Sequence, residues 1–274
     1  MKTHCPRLAC LAVVMAFAVS RQTVRCAAAD ERPTALVRAH AHNDYLHDRP
    51  LLDALDNGFC SVEADIFLVQ GKLLVAHTRS ELSAENTLQR LYLEPLRQRV
   101  EQNDGGVYSG GPTFTLLIDI KSEGVATYRA LHQVLLQYHD LLSRVENRHF
   151  HKKAVTAVVS GNRPQNAIAA DSPRYVGIDG RLADLDSDQP ADLIPLISDN
   201  WRNHFKWRGE GDLPDAERLK LLKIIQRAHS RNRRVRFWAT PDQPSVWEAL
   251  NRAGVDLINT DNLPGLSAFL RKAR

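Results

Sequence analysis

Eight short, apolar, β-branched runs recur through residues 30–274, and they constrain the fold more than any other feature. They lie near Ala35–Ala39, Ser61–Ile66, Phe114–Ile120, Ala154–Val159, Tyr175–Ile178, Leu193–Ile197, Arg234–Trp238 and Asp256–Asn259. Lys72–Ala76 reads as a hairpin return after Gln70-Gly71. Helical periodicity fills several gaps: Val125, Tyr128, Leu131, Leu135 and Tyr138 share one face, as do Ala216, Leu219, Leu222 and Ile225, and later Val246, Leu250 and Ala253. The repeat is weakest in the gap Asp179–Asp192, which holds no convincing helix. Strand then helix, repeated about eight times, predicts an α/β fold, a (β/α)8 TIM barrel in a single domain spanning 30–274. A doubly wound open sheet is the alternative. Neither glycine-rich nucleotide-binding pattern is present, which counts against its nucleotide-binding versions.

Residues 1–29 read as an address. Lys2 and Arg7 precede an apolar stretch from Leu8 to Val19, and Ala27, Ala28 and Ala29 follow before polar sequence begins at Asp30. That order describes a cleaved secretory signal peptide and predicts a secreted or periplasmic location. Cleavage after Ala29 would remove Cys5, Cys10 and Cys26 and leave Cys60 alone, so no internal disulfide is expected. Lys2, Arg7, Arg21 and Arg25 account for the whole net charge of +4. The remainder is balanced, so a nucleic-acid partner is not expected. Its one dense basic run, Arg231, Arg233, Arg234 and Arg236, reads as a solvated face.

The C-terminal ends of barrel strands carry the chemistry of this fold. Here the runs end in His40, Glu63 with Asp65, Asp119 with Lys121, Ser160, Asp179, Ser198 with Asp199, Trp238, and Asp261. Glu63 and Asp65 are two apart, so both side chains leave a strand on the same face. Two such carboxylates repel each other unless a cation lies between them. With Asp119 they form an oxygen-rich nest for one hard divalent cation, Mg²⁺ or Ca²⁺. His40 and His77 each follow an apolar run and read as a catalytic acid–base pair. Metal-assisted attack at phosphorus or a carbonyl is the expected chemistry. His42 either orients His40, replaces it as base, or packs; Asn43 contacts phosphate or shapes the turn; Trp238 walls the pocket. Trp201, Phe205 and Trp207 form either a lid, giving peripheral membrane contact, or a patch packed on the barrel.

The segments Ala39-His40-Ala41-His42-Asn43-Asp44-Tyr45, Ser61-Val62-Glu63-Ala64-Asp65, Leu73–His77 and Leu117-Ile118-Asp119-Ile120-Lys121 resemble the glycerophosphodiester phosphodiesterase and phosphatidylinositol-specific phospholipase C superfamily. The His-Asn-Asp-Tyr signature, with Ser160-Gly161-Asn162-Arg163-Pro164, is most similar to the branch that includes the altered inheritance of mitochondria proteins. The resemblance implies a hydrolase of a glycerophosphodiester or phospholipid-type phosphodiester. It implies His40 and His77 as the catalytic pair, Glu63, Asp65 and Asp119 as metal ligands, and Lys121 on a phosphate oxygen. Many relatives follow the first His with Arg-Gly, where this chain has Ala41-His42, so either Lys121 or Arg163 takes the place of the missing phosphate clamp or the phosphate sits differently. Two rival readings remain: a His-x-His metallohydrolase of amidohydrolase or polymerase-and-histidinol-phosphatase type, and a non-catalytic barrel binding a phosphorylated ligand. The first needs later His ligands, which the strand ends do not offer.

Overall fold

The computed structural model describes residue 1 and residues 33–273. All of the proposed signal segment 1–29 beyond residue 1, with Cys5, Cys10 and Cys26, therefore lies outside the described residues.

The strands are β1 (Leu36–Ala41), β2 (Phe59–Val69), β3 (Lys72–Val75), β4 (Phe114–Ile120), β5 (Arg144–Glu146), β6 (His149–His151), β7 (Val155–Gly161), β8 (Val176–Gly180), β9 (Leu196–Asn200), β10 (Arg234–Trp238) and β11 (Ile258–Thr260). Eight of them form one parallel sheet in the order β10-β9-β8-β7-β4-β2-β1-β11. A parallel bridge between Arg236 and Leu257 brings its two ends together, giving a nearly closed barrel. β3 pairs antiparallel with β2 as the expected hairpin, and β5 with β6 forms a separate ribbon. The helices are α1 (Leu52–Asp56), α2 (Glu94–Gln102), α3 (Gly124–Leu136), α4 (Gln165–Ala170), α5 (Trp201–His204), α6 (Asp215–His229), α7 (Pro244–Ala253) and α8 (Leu263–Lys272). The TIM-barrel expectation thus holds. None of the helices among the described residues is long and apolar enough to cross a membrane.

Alternation along each strand sorts the side chains. One set of positions packs outward against the helices. The other set fills the barrel, and Leu117, Val158, Leu196 and Leu257 form a small apolar cluster of their own there. Two residues further along each strand the character changes to Asp119, Ser160, Ser198 and Asn259. The apolar layer floors a polar one at the C-terminal ends.

Three readings need correction. The buried face of α6 is Leu221, Ile224, Ile225 and Ala228, while Leu219 and Leu222 are exposed. The sequence pattern was read one step out of phase because apolar residues occur on both sides of this helix. Val125 is likewise exposed at the start of α3. The run around Arg233 and Arg236 is not a solvated face: both side chains are buried. Arg233 donates to the carbonyls of Asp184, Leu185, Ser187 and Gln189. It thereby organises the segment that has no helix, for which only the 3-10 turn Leu182–Asp184 forms. Trp201, Phe205 and Trp207 are buried too, with Trp201 and Phe205 stacked at 3.9 Å and both edge-on to Phe237. They pack on the barrel, and no aromatic lid forms.

Candidate active site

A cavity of about 200 Å³ opens at the C-terminal end of the barrel. His42, Asn43, Glu63, Asp65, His77, Asp119, Lys121 and Trp238 line it, joined by Ser160, Arg181 and Arg236. Of the candidate residues, His40 and Arg163 do not. A larger hollow of about 490 Å³ lies between α6 and α7, outside the barrel. Among the described residues, Glu63, Asp65 and Asp119 form the one group of acids, His or Cys able to share an ion, with one oxygen of each within 4.8 Å of the others.

The register explains this convergence. Asp65 of β2 lies beside Asp119 of β4, and Asp119 beside Ser160 of β7. Glu63 is one alternation earlier, deeper in the barrel. There Arg236 donates to Glu63 Oε2 at 3.0 Å and to Asn259 Oδ1 at 2.9 Å. Burial pushes the Glu63 carboxyl up, but the Arg236 guanidinium together with His40 and His42 outweighs it and holds Glu63 ionised, well below the usual carboxylate range. Asp65 and Asp119 behave oppositely. Burial and the Glu63 charge raise Asp65 from 3.8 to about 6, and burial raises Asp119 despite Lys121 beside it. Lys121 Nζ lies 3.1 Å from Asp65 Oδ2 and 3.3 Å from Asp119 Oδ2. The other oxygen of each, Asp65 Oδ1 and Asp119 Oδ1, is buried without a hydrogen-bond partner. Buried carboxylate oxygens without donors are costly, and a hard cation is the partner that satisfies several at once. The donor set therefore fits a divalent ion.

The turn after β7 closes over this nest. Gly161 has φ +67°, and a Cβ there would lie 2.0 Å from Asp119 Oδ1. Only glycine allows the chain to pass so close to the carboxylate.

The histidines differ in surroundings. His40 is fully buried, with Nδ1 2.7 Å from Ser61 Oγ and Nε2 4.0 Å from Glu63 Oε2. Burial and then Arg236 lower it from 6.5 to about 3, so it is neutral at pH 7. His42 lies two residues on, just past the end of β1, and its side chain is 26% exposed. Its Nδ1 is 2.9 Å from Asp261 Oδ1, and its Nε2 is 3.7 Å from Glu63 Oε2. His77, 51% exposed, has Nδ1 3.0 Å from Tyr45 Oη. Tyr45 donates at 2.6 Å to Asp65 Oδ2 and lies 2.8 Å from Asn43 Oδ1. Asn43 reaches this place by adopting a left-handed conformation, φ 47°, which asparagine tolerates better than most residues. Tyr45 and Arg236 were missed in the sequence. The signal for Arg236 was the alternation Arg234-Val235-Arg236-Phe237-Trp238, a strand with every second residue facing inward.

Asp44 anchors the loop that carries Asn43 and Tyr45. Its Oδ2 accepts from the Leu51 amide at 2.6 Å and from Tyr92 Oη at 2.9 Å. Burial lifts this carboxyl from 3.8 to about 7, although both hydrogen bonds favour the anion. The folded protein therefore binds this proton more tightly than the unfolded chain does. The group costs nothing below pH 4, and its cost grows to about 4 kcal/mol as pH rises through 7. Asp44→Asn, which keeps an acceptor, is expected to raise the melting temperature at pH 8 and leave it nearly unchanged at pH 4. Parallel pH–stability curves for the two proteins would show that Asp44 is not the titrating group.

Comparison with known proteins now adds to the geometry. The model of the AIM6-like phosphodiesterase domain matches residues 30–179. The Altered inheritance of mitochondria protein 6 of Eremothecium gossypii is 32% identical over 274 residues, covering 85% of this chain and 69% of that protein. This chain belongs to the AIM6-like phosphodiesterase family. The homologue in Arthroderma benhamiae is 30% identical, over 85% of this chain and 83% of its own length. The glycerophosphoryl diester phosphodiesterase family model also matches at residues 234–264, across β10 and β11. A glycerophosphodiester phosphodiesterase of Agrobacterium tumefaciens superposes with a TM-score of 0.54 at 15% identity, covering 86% of this chain and 100% of that one. A putative glycerophosphoryl diester phosphodiesterase of Silicibacter pomeroyi superposes at 0.52 and 14% identity, covering 88% and 96%. At such identities these neighbours show the shared barrel.

Proposed function

We propose that this family member hydrolyses a glycerophosphodiester or phospholipid-type phosphodiester with the help of one divalent cation, Mg²⁺ or Ca²⁺. The observation that carries the reading is the carboxylate nest: three acids on adjacent strands, two with buried, partnerless oxygens, facing a cavity rimmed by two histidines. Glu63, Asp65 and Asp119 would hold the ion. When bound, it offsets charge on the non-bridging phosphate oxygens. Lys121, at the cavity wall, takes a further phosphate oxygen as a point charge.

The proton transfers fall to His42 and His77. His42 Nδ1 is held by Asp261 Oδ1 and the Asn43 side-chain amide, both at 2.9 Å, which leaves Nε2 for the substrate. Tyr45 gives its proton to Asp65 and accepts from His77 Nδ1–H, which likewise leaves His77 Nε2 for the substrate. One ring removes the proton of the attacking hydroxyl or water, and the other protonates the leaving oxygen. His40, buried and neutral, supports Ser61 and Glu63 from below. This assignment differs from the sequence expectation, which paired His40 with His77, and it rests on which ring reaches the cavity.

The test is hydrolysis of a chromogenic diester, glycerophosphocholine, glycerophosphoinositol, phosphatidylinositol and sphingomyelin, each with Mg²⁺, Ca²⁺ or EDTA. Turnover of at least one diester, lost in EDTA, is expected; turnover unaffected by EDTA would remove the metal from the reading. The charged start and the Ala27–Ala29 exit support export with cleavage after Ala29. N-terminal sequencing of the exported protein is expected to begin at Asp30, and an intact Met1 would reject it.

A further inference from the structure

The cavity has a second wall whose chemistry the hydrolysis does not use. It is built by Arg181 after β8, Trp238 at the end of β10, and Ser160 of β7. The Arg181 guanidinium lies over the Trp238 ring, 4.8 Å from its centroid. Its Nη1 is committed: it donates to Asp179 Oδ2 at 2.9 Å and to the Gly180 carbonyl at 3.0 Å. Nη2 makes only one long contact, 3.4 Å to Ser160 Oγ. Arginine carries five donors in a planar fork, so the cavity side of this group is underused.

Asp179 does not compete for a ligand. It is fully buried and saturated by Ser160, Ser198 and Arg181. Its role is to clamp Arg181.

Arg163 lies three residues beyond Ser160, behind this wall. It follows the Gly161 turn, and its Nε is buried without a hydrogen-bond partner. The side chain is half-buried and does not itself line the cavity; the charges of Arg181, Asp179, Asp184 and Asp119 act on it. Each other cation of the site already faces a carboxylate: Arg236 faces Glu63, Lys121 faces Asp65 and Asp119, and Arg181 faces Asp179. Among the described residues Arg163 has no ion pair of its own. A half-buried guanidinium whose Nε is buried without a partner is incompletely satisfied, and an anion from outside would relieve it.

We propose that Arg181, lying on Trp238 with Arg163 beside it, binds a second anionic group, a carboxylate or phosphate, that the substrate carries beyond its scissile diester. The inference rests on the phosphodiesterase reading and narrows its substrate class to acidic diesters. The planar fork and the aromatic face below it suit a flat or tetrahedral oxyanion.

The experiment uses a matched set of 4-nitrophenyl phosphodiesters whose second ester chain ends in a carboxylate, in a phosphomonoester, or in the methyl ester of the carboxylate. Wild-type protein is expected to favour at least one acidic diester over the methyl ester by about tenfold or more in kcat/KM. That ratio is expected to fall toward one in Arg163→Gln and Arg181→Met and to survive in part in Arg181→Lys. Arg163→Gln matters most, because this side chain makes no hydrogen bond among the described residues and its loss does not strip Asp179 of a partner. Equal kcat/KM for acidic and neutral diesters, or a preference unchanged in Arg163→Gln and Arg181→Met, would overturn the subsite and leave the phosphodiesterase reading intact. If none is hydrolysed, the hydrolase reading fails for such diesters, and the subsite is judged by thermal shift. A larger rise in melting temperature with an acidic diester, absent in the variants, supports it; equal shifts reject it.

Discussion

Asp119→Asn is expected to lower kcat/KM for the best diester by about 10³-fold or more and to abolish divalent-ion binding in a calorimetric titration. A 10³-fold loss corresponds to about 4 kcal/mol of transition-state stabilisation, the size expected when a Lewis-acid site is lost. Asp119 Oδ1 is buried with no donor, and Asp65 Oδ1 is in the same condition. Burial raises both carboxyls even though Lys121 reaches each of them. One ammonium is thus too little positive charge for the acids gathered there. The substitution preserves volume, so the melting temperature should change little. A variant that keeps both ion binding and rate would show that Asp119 is no ligand.

His42→Ala is expected to reduce kcat by 10²- to 10⁴-fold, the range for loss of a general acid or base. Its fold should persist, because the side chain is partly exposed and its partner Asp261 is largely in solvent. His40→Ala should act differently. It removes a buried 2.7 Å hydrogen bond to Ser61 and leaves that hydroxyl unpaired, at a cost of about 2 kcal/mol or more. The expected signature is a lowered melting temperature with a smaller loss of rate. Measuring kcat and thermal unfolding for both variants separates the roles. A fully folded, inactive His40 variant beside an active His42 variant would return the catalytic role to His40.

Most of the carboxylate nest was legible in the chain. Glu63 and Asp65 are two apart in an apolar run, and strand alternation alone puts them on one face. Asp119 and Lys121 repeat the spacing, and the register then sets Asp65 against Asp119. The second His of His40-Ala41-His42 shares the face of the first. Spacing cannot say which of them stops in the floor and which emerges at the cavity, because both have the same parity. That depends on how far β1 extends before Asn43 turns the chain. Tyr45 was not legible either: its hydroxyl reaches Asp65 only because a left-handed turn folds the loop back.

The arginines show the limit most clearly. In the sequence, Arg231, Arg233, Arg234 and Arg236 form a charge run, and such runs usually face water. In the barrel, Arg233 holds four carbonyls of the 184–189 segment, and Arg236 pairs with Glu63 across 173 positions of chain. Neither partner is near in sequence, and burying a guanidinium is favourable only where such partners already wait.

The sequence by itself determined the barrel, through the repeat of apolar runs and helical faces. It also determined the acidic character of one end, through the parity of Glu63, Asp65 and Asp119. Tertiary structure alone decided which histidine meets the cavity, which arginine neutralises Glu63, and which arginine is left without a counter-ion. The physical reason is that local spacing sets the direction of a side chain, whereas burial and charge balance are set by neighbours that only closure of the barrel supplies.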